Sequence, residues 1–223
     1  MLEALEISTG AQPAHSVIWL HGLGADGHDF EPMVPELVRP AWPALRFVFP
    51  HAPVRPITLN GGMRMRGWYD IRGMDLASRE DAEGVFASVE AVSALIERER
   101  TRGVDSHRIL LAGFSQGGAI ALAAGLGHPQ RLAGIVALST YLPLADRIAE
   151  IRAPIQAALP VFVGHGAADP IVPQALGQAC AEQLRQWGHP VDWHSYSMPH
   201  SVCAQEIRDL GDWMERQLRG EQR

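Results

Sequence analysis

Residues 109–125, "ILLAGFSQGGAIALAAG", join an apolar run to a segment of small residues through a serine flanked by glycines. The apolar run is typical of a strand buried on both faces, and the Ala- and Gly-rich continuation is typical of a buried helix. The central "GFSQG" matches G-x-S-x-G, a sharp strand-to-helix turn that exposes its serine as a nucleophile. An alternative is that Ser115 only caps the helix, which is a common role of serine.

The rest of the chain repeats this strand-then-helix pattern. An alternating run at 191–197 predicts a strand nearer a sheet edge, and fully apolar runs predict buried strands. The apolar runs lie at 16–20, 45–49, 108–113, 134–139 and 160–166, and amphipathic helical patterns cover 80–100, 173–187 and 202–218. The alternation predicts a single α/β domain over residues 1–223, with a mostly parallel central sheet and helices on both faces.

One stretch, residues 50–75, does not fit the alternation. It reads "PHAPVRPITLNGGMRMRGWYDIRGMD" and is rich in proline and glycine. Connections of this length without a strand or helix are uncommon and often functional. We therefore interpret it as a functional loop.

Composition excludes several classes of protein. A chain of 223 residues fits one domain, and its formal charge of −6 argues against nucleic acid or an anionic membrane face as partner. The start "MLEALEISTG" lacks the basic and apolar parts of a signal peptide, and no apolar run approaches the roughly 20 residues of a membrane span. These features predict a cytoplasmic protein without stable membrane insertion. Cys180 and Cys203 are too few for a disulfide framework and lack metal-ligand spacing, so no metal is expected.

A serine needs a base to accept its proton and an acid to orient that base. Asp169 follows the predicted strand 160–166 in "GHGAADPIVP", and His200 follows the next strand in "MPHSV". The order Ser, Asp, His, each after a strand, is that of known G-x-S-x-G enzymes, and ligand sites gather at the carboxyl ends of such strands. Singly, Asp169 is also explained as a turn residue and His200 as a surface histidine. We expect His165 to pack or to fix the loop.

Two backbone N–H groups are candidates to stabilise a developing oxyanion. Gln116 offers one at the start of the predicted helix, and Leu23 in "HGLGADGHDF" offers the other. An alternative for this loop is a dinucleotide site, because "GLGADG" formally fits G-x-G-x-x-G. No acidic residue ends a second strand about 20 residues on, as that site requires. We therefore expect no cofactor.

Six ordered segments resemble a known family over about residues 15–215. They are "HGLGADGHDF", "NGGMRMRGWYDI", "GFSQGG", "LSTYLP", "GHGAADPIVP" and "MPHSVCAQEI". Together they resemble the carboxylesterase/acyl-protein thioesterase family of α/β-hydrolases, especially its bacterial carboxylesterases. The resemblance implies the α/β-hydrolase fold, with Ser115 as nucleophile, Asp169 as orienting acid and His200 as base. Leu23 and Gln116 would carry the oxyanion N–H groups.

The resemblance implies a serine carboxylesterase that acts on short- to medium-chain esters through an acyl-enzyme on Ser115, without a metal or organic cofactor. Alternatives are a lysophospholipase or an acyl-protein thioesterase on the same triad, and a non-catalytic ligand-binding protein. Thioesterase members typically have Asp-Thr after "HGLG", where this chain has Ala25 and Asp26. Protein deacylation is therefore not carried over. The resemblance is compatible with a homodimer.

The resemblance also makes the 50–75 stretch a flap beside the site. We predict that apolar residues of the flap and of neighbouring loops contact the acyl group: Leu59, Met63, Met65, Trp68, Leu23, Tyr141, Leu142 and Ile171. The alternative is that apolar loop residues serve the core. In particular, Trp68, Tyr69 and Asp70 would then anchor the flap.

Overall fold

The computed structural model describes residues 2–73 and 81–219. Residues 74, 75 and 80, at the ends of the predicted flap and of a predicted helix, lie outside them. The strands are β1 Ala4–Ser8, β2 His15–Leu20, β3 Leu45–Pro50, β4 Val54–Ile57, β5 Met63–Arg66, β6 Ile109–Phe114, β7 Gly134–Leu138, β8 Val161–Gly166 and β9 Val191–Tyr196. The helices are α1 Val34–Leu37, α2 Ala82–Thr101, α3 Gln116–Gly127, α4 Ala145–Ile151, α5 Gln174–Gln186 and α6 Ala204–Arg219. Single 3₁₀ turns cover Glu31–Met33, Thr58–Asn60, Ser106–Arg108 and Pro154–Gln156.

Seven of these strands form one sheet in the order β1-β3-β2-β6-β7-β8-β9. β1 pairs antiparallel with β3, and every other pair in the sheet is parallel. The mostly parallel sheet is therefore confirmed, and β9 lies at an edge, as its alternating pattern predicts. β1 is an additional strand that the sequence reading did not include.

Helices cover both faces of the sheet, as predicted. Along β2, Ile18 and Leu20 point into the core shared with α2, α3 and α5, while Val17 and Trp19 point into the core shared with α1 and α6. All four side chains are buried. Because successive strand residues face opposite sides, a strand between two helical layers is apolar at every position.

The 50–75 stretch contains a β-hairpin rather than only a loop. β4 and β5 pair antiparallel, with Ile57 opposite Met63 and Val54 opposite Arg66. Gly61 and Gly62 form the turn with φ values of 65° and 79°, a conformation that glycine adopts without steric cost. The expectation of a stretch without strands is corrected in this respect, and its functional role stays a prediction.

Membrane spans and metal sites are not expected from the sequence. Within residues 2–73 and 81–219, no helix combines the length and apolar character needed to cross a bilayer. The same residues contain no group of three or more His, Cys, Asp or Glu side chains arranged to hold a metal ion. Cys180 is buried, Cys203 is partly buried, and both are free thiols. The cytoplasmic location, the single domain and the homodimer stay predictions.

Candidate active site

Ser115 occupies a sharp turn between β6 and α3. Its φ of 54° and ψ of −120° are rare for a residue with a side chain, and such a backbone costs on the order of 1–3 kcal/mol. The turn is fixed from the neighbouring strand. The Ser115 N–H donates to the Leu138 carbonyl at 2.9 Å, and the Ser115 carbonyl accepts from Thr140 Oγ1 at 2.7 Å. These two hydrogen bonds keep the serine in one conformation at the carboxyl end of β6.

Two glycines allow this turn to form. A Cβ atom on Gly113 would lie 2.3 Å from the Gly117 carbonyl, and one on Gly117 would lie 2.3 Å from the Leu20 carbonyl. Neither distance is compatible with a side chain, so α3 can leave the sheet at this angle only with glycine at both positions. The Ser115 side chain makes no capping hydrogen bond to α3. The structure therefore gives no support to the helix-cap alternative.

The side chains of Asp169 and His200 meet beyond the carboxyl ends of β8 and β9. Asp169 lies just after β8, and His200 follows β9. His200 Nδ1 donates to Asp169 Oδ2 at 2.6 Å, and Asp169 Oδ1 accepts from the N–H groups of Ile171 and Val172, both at 2.9 Å. These backbone donors fix the carboxylate, which in turn fixes the imidazole with Nε2 as its remaining ring nitrogen.

His165, on β8, stabilises the turn that carries Asp169. It is fully buried on β8, and its Nε2 lies 2.8 Å from the Val172 carbonyl and 3.6 Å from Asp169 Oδ2. Burial lowers the pKa of His165, so the neutral ring donates to the Val172 carbonyl. This contact agrees with the expected loop-fixing role.

His200 lies beside the serine turn. Its ring packs against Phe114, the residue before Ser115, with ring centroids 4.6 Å apart. Among the hydrogen bonds of the described residues, none joins the Ser115 hydroxyl to His200. Catalytic hydrogen bonds are often long before substrate binds and tighten in the complex. The missing hydrogen bond therefore does not count against His200 as the base.

Leu23, Gln116 and Ser115 line one cavity, and the backbone N–H groups of Leu23 and Gln116 are the predicted oxyanion donors. In the described part of the chain, neither N–H donates to a backbone carbonyl outside regular helices and strands. The loop that carries Leu23 is fixed at its start by His21, whose Nδ1 donates to the Gly22 carbonyl and whose Nε2 accepts from the Ala52 N–H. Burial lowers the pKa of His21, which keeps this ring neutral.

The cavity has a volume of about 500 Å³. Its walls are mostly apolar, which suits an acyl chain. Leu23, Leu59, Tyr141 and Ile171 are the predicted acyl contacts that the structure brings to this cavity. Leu59 and Ile171 are 41% and 59% exposed, so they form its rim.

The other predicted acyl contacts lie elsewhere. Met63 is 63% exposed on the hairpin, and Met65 Sδ accepts from Asn60 Nδ2 at 3.5 Å. Trp68 is fully buried, and its indole N–H donates to the His21 carbonyl at 2.9 Å. Leu142 lines a separate, smaller pocket. The buried Trp68 matches the alternative in which it anchors the flap.

The sequence reading did not assign several lining residues. Tyr69, Ile71 and Val172 line the cavity, and the Tyr69 and Tyr141 hydroxyls are 2.7 Å apart. Tyr69 and Ile71 follow β5 in "GWYDI", where the chain bends at Trp68 and Tyr69 instead of continuing as a strand. The alternation of a strand does not apply there, so the sequence offers no signal that separates Tyr69 and Ile71 from Trp68.

Comparisons with known proteins give a consistent result. The sequence profile of the phospholipase/carboxylesterase family matches residues 2–218. Acyl-protein thioesterase 1 of Mycosarcoma maydis is 41% identical over an alignment of 225 positions, and the match covers 93% of each chain. Acyl-protein thioesterase 1 of Cryptococcus neoformans var. neoformans serotype D (strain JEC21) is 38% identical over an alignment of 235 positions, and the match covers 98% of each chain. The crystal structure of Arabidopsis thaliana SOBER1 is similar with a TM-score of 0.87 and 30% identity, covering 92% of this chain and 99% of that one.

Proposed function

Because the chain belongs to the phospholipase/carboxylesterase family of α/β-hydrolases, and is thus a hydrolase of ester or thioester bonds, we propose that it cleaves carboxylic esters through an acyl-enzyme on Ser115. The observation that carries the proposal is the apolar cavity of about 500 Å³, which is lined by Ser115, Leu23 and Gln116. A nucleophile, two N–H donors and an apolar wall around one space suit acyl transfer.

The proposed reaction has two halves. His200 Nε2 accepts the Ser115 proton as the serine oxygen attacks the carbonyl carbon, and the Leu23 and Gln116 N–H groups stabilise the oxyanion. His200 then donates that proton to the leaving alcohol or thiol, and the acyl group remains on Ser115. A water molecule, deprotonated by His200, attacks the acyl-enzyme, and His200 returns that proton to Ser115 Oγ as the acid is released. Asp169 keeps the His200 ring in the tautomer that this sequence requires.

Short- to medium-chain acyl esters are the substrates that we propose first. The cavity walls supplied by Leu59, Ile71 and Ile171 are aliphatic, and they surround the space next to Ser115. Burial of each methylene contributes about 0.8 kcal/mol to acyl-chain binding.

A second candidate is acyl-protein thioesterase activity. Curated relatives that are 38–41% identical carry that name. Ala25 and Asp26 follow "HGLG" in this chain, in place of the Asp-Thr of typical thioesterase members. Lysophospholipase activity would use the same triad and differs in the leaving group.

The testing experiment is hydrolysis of p-nitrophenyl esters from acetate to palmitate by the wild type and Ser115→Ala. We expect activity to peak at short or medium chains and to fall by several orders of magnitude in the variant, whose fold is retained. Near wild-type turnover by pure Ser115→Ala would contradict the assignment of the nucleophile.

Two further substrates separate the candidates. Faster cleavage of an S-palmitoylated peptide than of any p-nitrophenyl ester would favour the thioesterase, and release of fatty acid from lysophosphatidylcholine would favour the lysophospholipase. An organophosphonate probe tests the remaining alternative, because it labels only an activated serine. No labelling of folded protein and no turnover would indicate a non-catalytic binding protein.

A further inference from the structure

The backbone segment 66–69, at the end of the hairpin, contacts the loop that carries Leu23. The Gly24 N–H donates to the Arg66 carbonyl at 2.8 Å. Two residues on, the Trp68 indole N–H donates to the His21 carbonyl at 2.9 Å. These bonds attach the segment on both sides of Leu23, so the position of the Leu23 N–H depends on where the segment lies.

The same segment is attached to the serine turn by the side chain of Gln116. The Trp68 N–H donates to Gln116 Oε1 at 2.7 Å, and Gln116 Nε2 donates to the Tyr69 carbonyl at 2.8 Å. Gln116 is 3% exposed. The side-chain amide offers one acceptor and one donor in this arrangement, whereas an ionised carboxylate would offer acceptors alone. A further bond, from Ser88 Oγ to the Trp68 carbonyl, holds the segment from α2.

We propose that the Gln116 carboxamide is a positioning group for the oxyanion site: through segment 66–69 it sets the spacing between the Leu23 N–H and the Gln116 N–H. The inference rests on the proposed function, since it concerns the donors of that same reaction. It assigns the carboxamide a role separate from that of the Gln116 backbone. Oxyanion donors act at about 2.7–3.1 Å, and a displacement of about 1 Å can cost on the order of 100-fold in rate.

The test compares Gln116→Met and Gln116→Glu with the wild type. Met keeps the length of the side chain and removes both hydrogen bonds, so we expect kcat for p-nitrophenyl butyrate to fall 10- to 100-fold with KM changed less than threefold. A protonated Glu restores one acceptor and one donor, whereas an ionised Glu faces the Tyr69 carbonyl without a donor. The activity of Gln116→Glu relative to wild type should therefore rise as the pH falls from 8 to 5.5. The activity of Gln116→Met relative to wild type should not change over this range.

Gln156 provides a matched control at a distance from the site. It is also a buried amide, with Nε2 donating to the carbonyls of His128 and Gln130 and Oε1 accepting from the Leu132 N–H. Gln156→Met should lower stability but leave kcat and KM within twofold of the wild type. All rates are expressed per serine titrated with a phosphonate, which removes the contribution of unfolded protein.

The outcomes separate the two proposals. If the phosphonate does not label the wild type and no ester is hydrolysed, the proposed function fails and this inference fails with it. If the wild type is active, then a kcat of Gln116→Met equal to that of Gln156→Met overturns the positioning role alone. A Gln116→Glu variant that is less active than wild type at pH 8 and does not recover as the pH falls to 5.5 does the same, and it decides the question even if the Met variant does not fold.

Discussion

At the scale of single residues, Gly117 marks the closest approach of helix and sheet beside the nucleophile. A Cβ atom there would lie 2.3 Å from the Leu20 carbonyl, so Gly117→Ala must displace α3. We expect the free energy of unfolding to fall by about 1–3 kcal/mol, as for other overpacked sites, and ester hydrolysis to fall at least 10-fold. Urea denaturation and p-nitrophenyl ester turnover measure the two effects.

Gly127, at the other end of α3, supplies the control. A Cβ atom there would be 3.7 Å from the Ile151 carbonyl, which is an ordinary contact. Gly127→Ala should therefore leave activity unchanged and alter the free energy of unfolding by no more than about 1 kcal/mol. Any change should be stabilising, because alanine has a higher helix propensity than glycine. Equal effects of the two substitutions would contradict the steric explanation.

Sequence order predicted that residues 169 and 200 meet, because both follow parallel strands whose carboxyl ends share one sheet edge. The structure places their side chains 2.6 Å apart. The lining of the cavity was less predictable. Trp68 and Tyr69 are adjacent and both aromatic, yet only Tyr69 lines the cavity, and Trp68 is buried against His21. The sequence does not show which of two adjacent aromatic residues faces the cavity, because this depends on how the chain leaves the hairpin.

At the scale of helices and strands, apolar runs identified the central sheet because β2, β6, β7 and β8 lie between two helical layers. Elements with one exposed side gave weaker signals. β1 is half exposed and pairs only with β3. In the hairpin, Pro56 lies within β4, opposite Arg64, and prolines are confined to edge strands because they lack an N–H. The alternating "MRMR" of β5 after Asn60-Gly61-Gly62 was the available hairpin signal.

Helix α6 is attached to the segment after α1 through Arg39. The Arg39 guanidinium binds Asp212 and Glu215, each at 2.5 Å, and lies 5.9 Å from the Trp42 ring centroid. Exposed ion pairs contribute about 0.2–1 kcal/mol each. We expect Arg39→Gln to lower the free energy of unfolding by about 1 kcal/mol, or Tm by about 2–4 °C, because two pairs are lost together.

Ionic strength checks the electrostatic origin of this effect. The difference between Arg39→Gln and wild type should shrink at about 1 M salt, where charges are screened within about 3 Å. Arg216→Gln is the comparison in α6, because Arg216 is 58% exposed and binds only Asp192 among the described carboxylates. It should change stability by less than about 0.5 kcal/mol. A larger effect for Arg216 than for Arg39 would contradict the role assigned to Arg39.

At the scale of the whole molecule, Glu206 makes global stability depend on pH. It is fully buried on α6, and no described residue gives its carboxyl oxygens a hydrogen bond of normal geometry. Burial raises the pKa of Glu206 from 4.5 to about 8, the charge of Asp209 adds to the rise, and the Cys203 N–H opposes it only in part. In the unfolded chain Glu206 ionises near pH 4.5, so between about pH 4.5 and 8 the folded state retains a proton that the unfolded state has lost.

Unfolding is therefore favoured as the pH rises through this window. Glu206→Gln should be more stable than wild type at pH 8.5, by up to roughly 5 kcal/mol at about 1.4 kcal/mol per pH unit, and nearly equal to it at pH 4.5. Denaturant unfolding of both proteins at several pH values measures the difference. Glu182 is exposed on α5, and Glu182→Gln should show no such trend. A difference that does not vary with pH would contradict a buried neutral Glu206.

The buried thiol of Cys180 allows transient separation of α5 from the sheet to be measured. Its side chain is 3% exposed in the core beneath α5, and burial raises the pKa of the thiol to about 12. Alkylating reagents react with the thiolate, so Cys180 is chemically silent while α5 stays packed on the sheet. Its alkylation rate in the native protein then reports how often this helical layer separates from the strands. The chain thus carries a kinetic reporter of its own opening without an added label.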